Sequence, residues 1–87
     1  MKIDISFAMV SIYQSLQLYS EAYDYLVEQA RGYARLNAST VKEIVEKTGY
    51  HTTLKNVIED RLYKGDIQEQ YREGFIESKK ALIDMGY

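Results

Sequence analysis

The strongest pattern in the chain lies near its start. Ile5, Met9, Ile12, Leu16, Tyr19, Tyr23, Leu26, Ala30 and Tyr33 recur at alternating spacings of four and three. That is the period of a coiled-coil-like seam along one helix face. Gln14, Glu21, Glu28 and Arg35 fall on the opposite face, as solvent positions should. Ala8, Tyr13, Ala22 and Val27 widen the apolar stripe, and Leu18 and Tyr25 add apolar surface away from it. The spacing predicts one helix over residues 4–35, about 45 Å long. Gly32 is positioned to end it early or fray its last turn.

The pattern breaks at Asn37 and Ser39. Thr40-Val-Lys-Glu43 then reads as a capping box, and Val41, Ile44 and Val45 give a short helix to about Thr48. Gly49 suits the left-handed position after its end. His51-Thr52-Thr53 supplies the next N-cap, and Leu54, Val57, Ile58 and Leu62 mark a third helix ending near Lys64, before Gly65. Asp66-Ile-Gln-Glu69 reads as a second capping box. Ile67, Tyr71, Gly74, Phe75, Ser78, Leu82 and Met85 mark a last helix that Gly86 stops. No stretch alternates with period two, and no repeat or linker interrupts the chain. The expectation is a single all-α domain over residues 1–87. It is a small bundle of about four helices, the long N-terminal one packed with three shorter ones.

Composition narrows the chemistry. The 87 residues contain no Cys and one His, which excludes disulfide frameworks, zinc knuckles, iron–sulfur sites and thiol nucleophiles. No Pro is present, where ordinary usage would give about four, and this favours uninterrupted helices. Eleven basic against thirteen acidic residues leave a net charge of −2, unlike a polybasic nucleic-acid arm or an acidic DNA mimic. Asp4 and Gln14 bound the first apolar run, and no cleavage site follows it, so no signal peptide is expected. No run approaches 18 apolar residues, so no membrane span and a cytoplasmic location are expected.

The seam is longer than three short helices readily cover, and uncovered apolar surface points to a partner. Nine Tyr and no Trp strengthen this, because Tyr suits surfaces that are half dry and half wet. Self-association through the first helix is therefore expected, with Ile12, Leu16, Leu18, Tyr19, Tyr23, Tyr25 and Leu26 as the candidate oligomer or partner interface.

Residues 40–64 also fit a helix-turn-helix DNA reader, with Gly49 at the turn and a Thr-rich start to the second helix. His51, Thr52, Thr53, Lys55 and Asn56 are the side chains that would reach bases or phosphates. Lys55 stands where such motifs place a core aliphatic. Glu59 and Asp60 accompany the few nearby cations Lys42, Lys47, Arg61 and Lys64, so the basic patch is thin.

Catalytic and metal motifs are missing. Glu21, Asp24 and Glu28 share one helix side, and Glu43 and Glu46 are three apart, but no Glu-x-x-His pair accompanies them. There is no nucleophile elbow or phosphate loop. A non-catalytic protein with no metal and no cofactor is expected. In the last helix, Gly74-Phe75-Ile76-x-x-x-Lys80-Ala81-Leu82 resembles the end of the helical-hairpin domain in small phage sponge proteins that sequester cyclic oligonucleotide signals. The resemblance covers nine residues. It implies a compact homo-oligomer holding a cyclic nucleotide between subunits by aromatic stacking and a few cations, and it assigns no site residues. The leading expectation is a small helical regulator or inhibitor that acts by binding a macromolecular partner as a homo-oligomer, such as a phage factor aimed at host machinery or defence.

Overall fold

The structure is a computed structural model that describes the backbone of residues 5–32 and 35–87, with side chains from Met9 onward in that range. Asp4, Tyr33 and the side chains of Ile5 and Ala8 lie outside the described residues. Among the described residues there are five helices and no strand: α1 (Ile5–Ser15), α2 (Tyr19–Arg31), α3 (Ala38–Thr48), α4 (Thr52–Lys64) and α5 (Glu69–Asp84).

The all-helical expectation holds, but the single long helix is two. Gln17 adopts φ +60°, the left-handed region that non-glycine residues rarely occupy. Around it, the Leu18 amide donates to the Tyr13 carbonyl at 2.8 Å and the Gln17 amide to Gln14 at 3.1 Å. These two bonds form a Schellman motif, which closes a helix and turns the chain away. Gln rather than Gly holds the left-handed position, so the sequence carries no obvious stop. Gly32 then ends α2, its amide donating to the carbonyls of Glu28 and Gln29.

The other boundaries follow glycines. Gly49, Gly65 and Gly86 have φ of +76°, +68° and +97° and follow the ends of α3, α4 and α5. Both predicted capping boxes give way to other contacts. Asn37, not Thr40, caps α3, its Oδ1 accepting from the amides of Ser39 (2.9 Å) and Thr40 (3.4 Å). The Glu43 carboxylate turns away to accept from Gln14 and, at 3.5 Å, from the Tyr19 hydroxyl. Asp66 pairs with Arg61 at 3.4 Å rather than capping α5, which starts after Gln68 without a side-chain cap.

Helices α2, α3, α5 and α4 close a ring in that order, each packing on the next, while α1 packs against α2 from outside. Sequence neighbours α3 and α4 pack on α2 and α5 rather than on each other. The core joins Leu26 and Val27 of α2, Ile44 and Val45 of α3, Leu54 and Ile58 of α4, and Phe75 and Leu82 of α5. The extents of the chain, 37 × 33 × 17 Å between Cα atoms, are those of a slab about two helices thick.

Two details hold the ring tightly. Buried Gln29 donates from Nε2 to the Arg35 carbonyl at 3.0 Å, fixing the chain between α2 and α3. Gly74 lets α5 press on the backbone of Leu36. A Cβ there would lie 3.3 Å from the Leu36 carbonyl carbon and closer still to its oxygen. Gly74→Ala gains about 1 kcal/mol of helix propensity but forces helix and loop apart. A net loss of about 2 kcal/mol is expected in urea unfolding. An unchanged or higher midpoint would show that the loop yields freely. In contrast, the Ser78 hydroxyl is fully buried with no hydrogen-bond partner, so Ser78→Ala should gain about 1 kcal/mol in the same assay. A loss would reveal a bond the hydroxyl makes.

Candidate interaction surface

From Ile5 to Ser20 the sequence contains no Asp, Glu, Lys or Arg, sixteen residues in a chain that is 28% charged. This run covers α1 and the turn after it. A helix without a charged face is at home when buried on more than one side. Val10 reaches the core, and the Tyr13 ring stacks on Tyr25 of α2 at 5.4 Å between centroids. Gln14 adds a hydrogen bond to Glu43 of α3. The remaining side of α1 faces out: Ile12 is 50% exposed and Leu16 62%, with Leu18 in the turn at 42%.

The turn at Gln17 thus divides the seam that the sequence presents as continuous. Its second half points inward, with Tyr23, Leu26 and Ala30 buried and Leu26 only 1% exposed. Its first half, Ile12 and Leu16, points outward. The seven candidate interface residues therefore separate into three groups. Ile12, Leu16 and Leu18 form an outward apolar stripe. Tyr19 and Tyr25 are half-buried at the core's edge. Tyr23 and Leu26 belong to the core of the single chain.

Tyr23 has a specific task there. Its hydroxyl accepts from the Leu54 amide at 3.1 Å, one of the unpaired donors at the start of α4. His51 holds the N-cap position but supplies no side-chain bond, so a tyrosine from α2 caps α4 across the core. The Tyr23 ring also meets the edge of Tyr50 at 5.5 Å.

The proposed DNA-reading side chains are partly engaged with another element. The His51 ring stacks on Tyr87 at 3.7 Å, with 12° between planes, and Lys55 Nζ donates to the Tyr87 carbonyl. Thr52, Thr53 and Asn56 are exposed. Nearby cations are engaged locally: Lys64 pairs with Asp60 at 3.1 Å, and Arg61 pairs with Asp66 and donates from Nη1 to the Arg31 carbonyl at 2.8 Å. Two open grooves of about 500 and 340 Å³ flank Arg31 between α2 and α4. Their walls mix both signs of charge, Arg31 pairing with Glu28 at 3.3 Å. Among the described residues no group of three or more His, Asp or Glu is placed to hold a metal ion, and no helix is long and apolar enough to cross a membrane.

The fragment that resembles the sponge proteins has a packing role here. Gly74 admits Leu36, Phe75 and Leu82 fill the core, and Lys80 is exposed. Compared with known protein families, curated proteins and solved structures, the chain matches none.

Sequence reading missed the turn at Gln17, the Tyr23 cap and the stacking of Tyr87. The uncharged run over residues 5–20 is the one signal that would have singled out α1. Tyr23→Phe should cost about 1 kcal/mol, as loss of a helix N-cap does, and speed hydrogen exchange at the Leu54 amide. Unchanged protection of that amide would show that it has another acceptor.

Proposed function

We propose that the chain is a non-catalytic helical binding protein that self-associates through the outward side of α1 and works through that surface on a macromolecular partner. The observation that carries this reading is the stripe Ile12–Leu16–Leu18, large aliphatic side chains half exposed on the one uncharged segment of the chain.

Magnitudes set the kind of association. Fully burying an aliphatic side chain contributes about 1.5–3 kcal/mol. Burying the exposed half of three contributes roughly 3 kcal/mol per copy, about 6 for a pair. Association costs about 4–15 kcal/mol. The stripe therefore supports a reversible, concentration-dependent contact rather than an obligate one. DNA reading by residues 40–64 is the weaker interpretation, since α3 and α4 pack on α2 and α5 rather than on each other, and Arg61 and Lys64 are paired with acids. A cyclic nucleotide site between subunits rests on the nine-residue resemblance alone.

Light scattering on the eluting full chain tests the proposal across two decades of micromolar concentration. The mass should rise from 10.1 kDa towards its double. Leu16→Glu and Ile12→Glu should hold it at the lower value with helix content unchanged, because neither side chain belongs to the buried core. A wild-type chain that remains a monomer throughout overturns the reading. Absorbance at 260 nm travelling with the peak would turn it towards nucleic acid or nucleotide.

A further inference from the structure

The 4-3 spacing runs through the turn without a skip: Ile12 and Leu16 before it, Tyr19 and Tyr23 after it. A turn that separates two independent helices has no reason to keep the register between them. Spacing of this kind is what one continuous helix requires. Leu16, Gln17 and Leu18 are all acceptable helix residues, and no Gly or Pro marks the turn. What interrupts the helix is Gln17 at φ +60°, a conformation that disfavours any side chain, followed by Leu18 at φ −95° and ψ 69°. Helix α1 packs against α2, on the far side of those two residues.

We infer that Gln17 is a hinge and that two copies of the chain exchange α1. In the exchanged form Gln17 and Leu18 both take the right-handed helical conformation. Helices α1 and α2 then fuse into one rod of about 27 residues, roughly 40 Å long. Helix α1 of each copy leaves its own α2 and packs on the partner's, remaking the Tyr13–Tyr25 stack and the Gln14–Glu43 bond between chains. Exchange of identical elements is a low-cost route to a dimer, since each copy recovers from its partner the packing it gives up.

The occupant is a second copy because the vacated surface is shaped by this chain's own α1, down to the stacked ring and the carboxylate partner. The two rods run antiparallel. Position 19 lies midway between 13 and 25, which sets the two-fold axis beside Leu18 and Tyr19. In the rod Leu18 shares the face of Tyr25, so the Leu18 side chains of the two copies meet at this axis, while Leu16 stands on the opposite face of the helix. Neither side carries a charge in this region, so no like-charge repulsion opposes the approach.

This inference rests on the self-association proposed above, and its test separates the two. The chain has no cysteine, so introduced thiols are unique. A Tyr13→Cys chain is mixed with a Tyr25→Cys chain, unfolded and refolded together, and treated with a short bis-maleimide. Exchange predicts a covalent pair joining position 13 of one chain to position 25 of the other. The hinge is tested separately. Gln17→Gly relieves the closed turn and weakens the rod in both copies, and should lower the dimer association constant about a hundredfold. Gln17→Thr makes the closed turn costlier without adding apolar surface, and should raise it. A dimer with no 13–25 link and no response to either Gln17 substitution overturns the exchange while leaving association through the α1 stripe intact. A chain that remains monomeric overturns both.

Discussion

The hydrogen bond from the Leu18 amide to the Tyr13 carbonyl decides the shape of the molecule. It closes α1 at Ser15, although the apolar pattern runs on to Tyr33, and it fixes Gln17 in the left-handed region. Everything on the far side is rotated by that turn. Tyr23, Leu26 and Ala30 point into the ring of α2, α3, α5 and α4, while Ile12 and Leu16, members of the same seam, face solvent. Without the reversal, α1 would project as an unsupported rod, and Val10 and Tyr13 would have nothing to pack on. The turn accepts a local backbone cost of about 1–2 kcal/mol and gains the burial of one side of α1 on α2.

Much of the architecture is legible in the sequence because its signals are local. Gly49 and Gly65 end α3 and α4 where a left-handed residue is needed, and a glycine accepts that conformation without a Cβ penalty. The apolar periodicity of residues 41–45 and 54–62 finds its core face correctly. Legibility fails where two local options have similar energies and a distant contact chooses. Thr40 and Glu43 satisfy the capping-box pattern, but Glu43 is drawn to Gln14 and Tyr19, and Asn37 takes the cap. Asp66 likewise goes to Arg61. Gln17 is the sharpest case, because nothing in the residue type separates a helix interior from a left-handed turn. Of the seven candidate interface residues, Ile12, Leu16 and Leu18 face outward, while Tyr23 and Leu26 are buried in the core. A strict seam shows which residues share a helix face, not which of them a bundle will cover.

The tyrosines show why a small slab uses so many. At a thickness of two helices, few positions are wholly dry, and an aliphatic at the margin would leave its end in water. Tyr23 buries its ring and gives its hydroxyl to the α4 amide. Tyr19 rests at the core's edge with its hydroxyl towards Glu43. Tyr13 and Tyr25 cover each other's faces where α1 meets α2. Tyr87 covers His51 at the head of α4. Tyr63, 91% exposed at the end of α4, has no packing role in the single chain.

The order of helices around the ring has a consequence for how the chain folds. Because α3 and α4 are consecutive in sequence but not adjacent in the ring, the core joins two local pairs, α2 with α3 and α4 with α5, through two pairings of longer range. Pairing α3 with α5 must span the whole of α4, and pairing α2 with α4 the whole of α3. Each requires a long segment to be looped before any burial offsets the entropy. An up-and-down arrangement of the same helices would instead concentrate its long-range closure in one pairing, α2 with α5. Neither pair closes the core alone: its buried side chains come from all four helices, so the core is complete only where the two pairs meet.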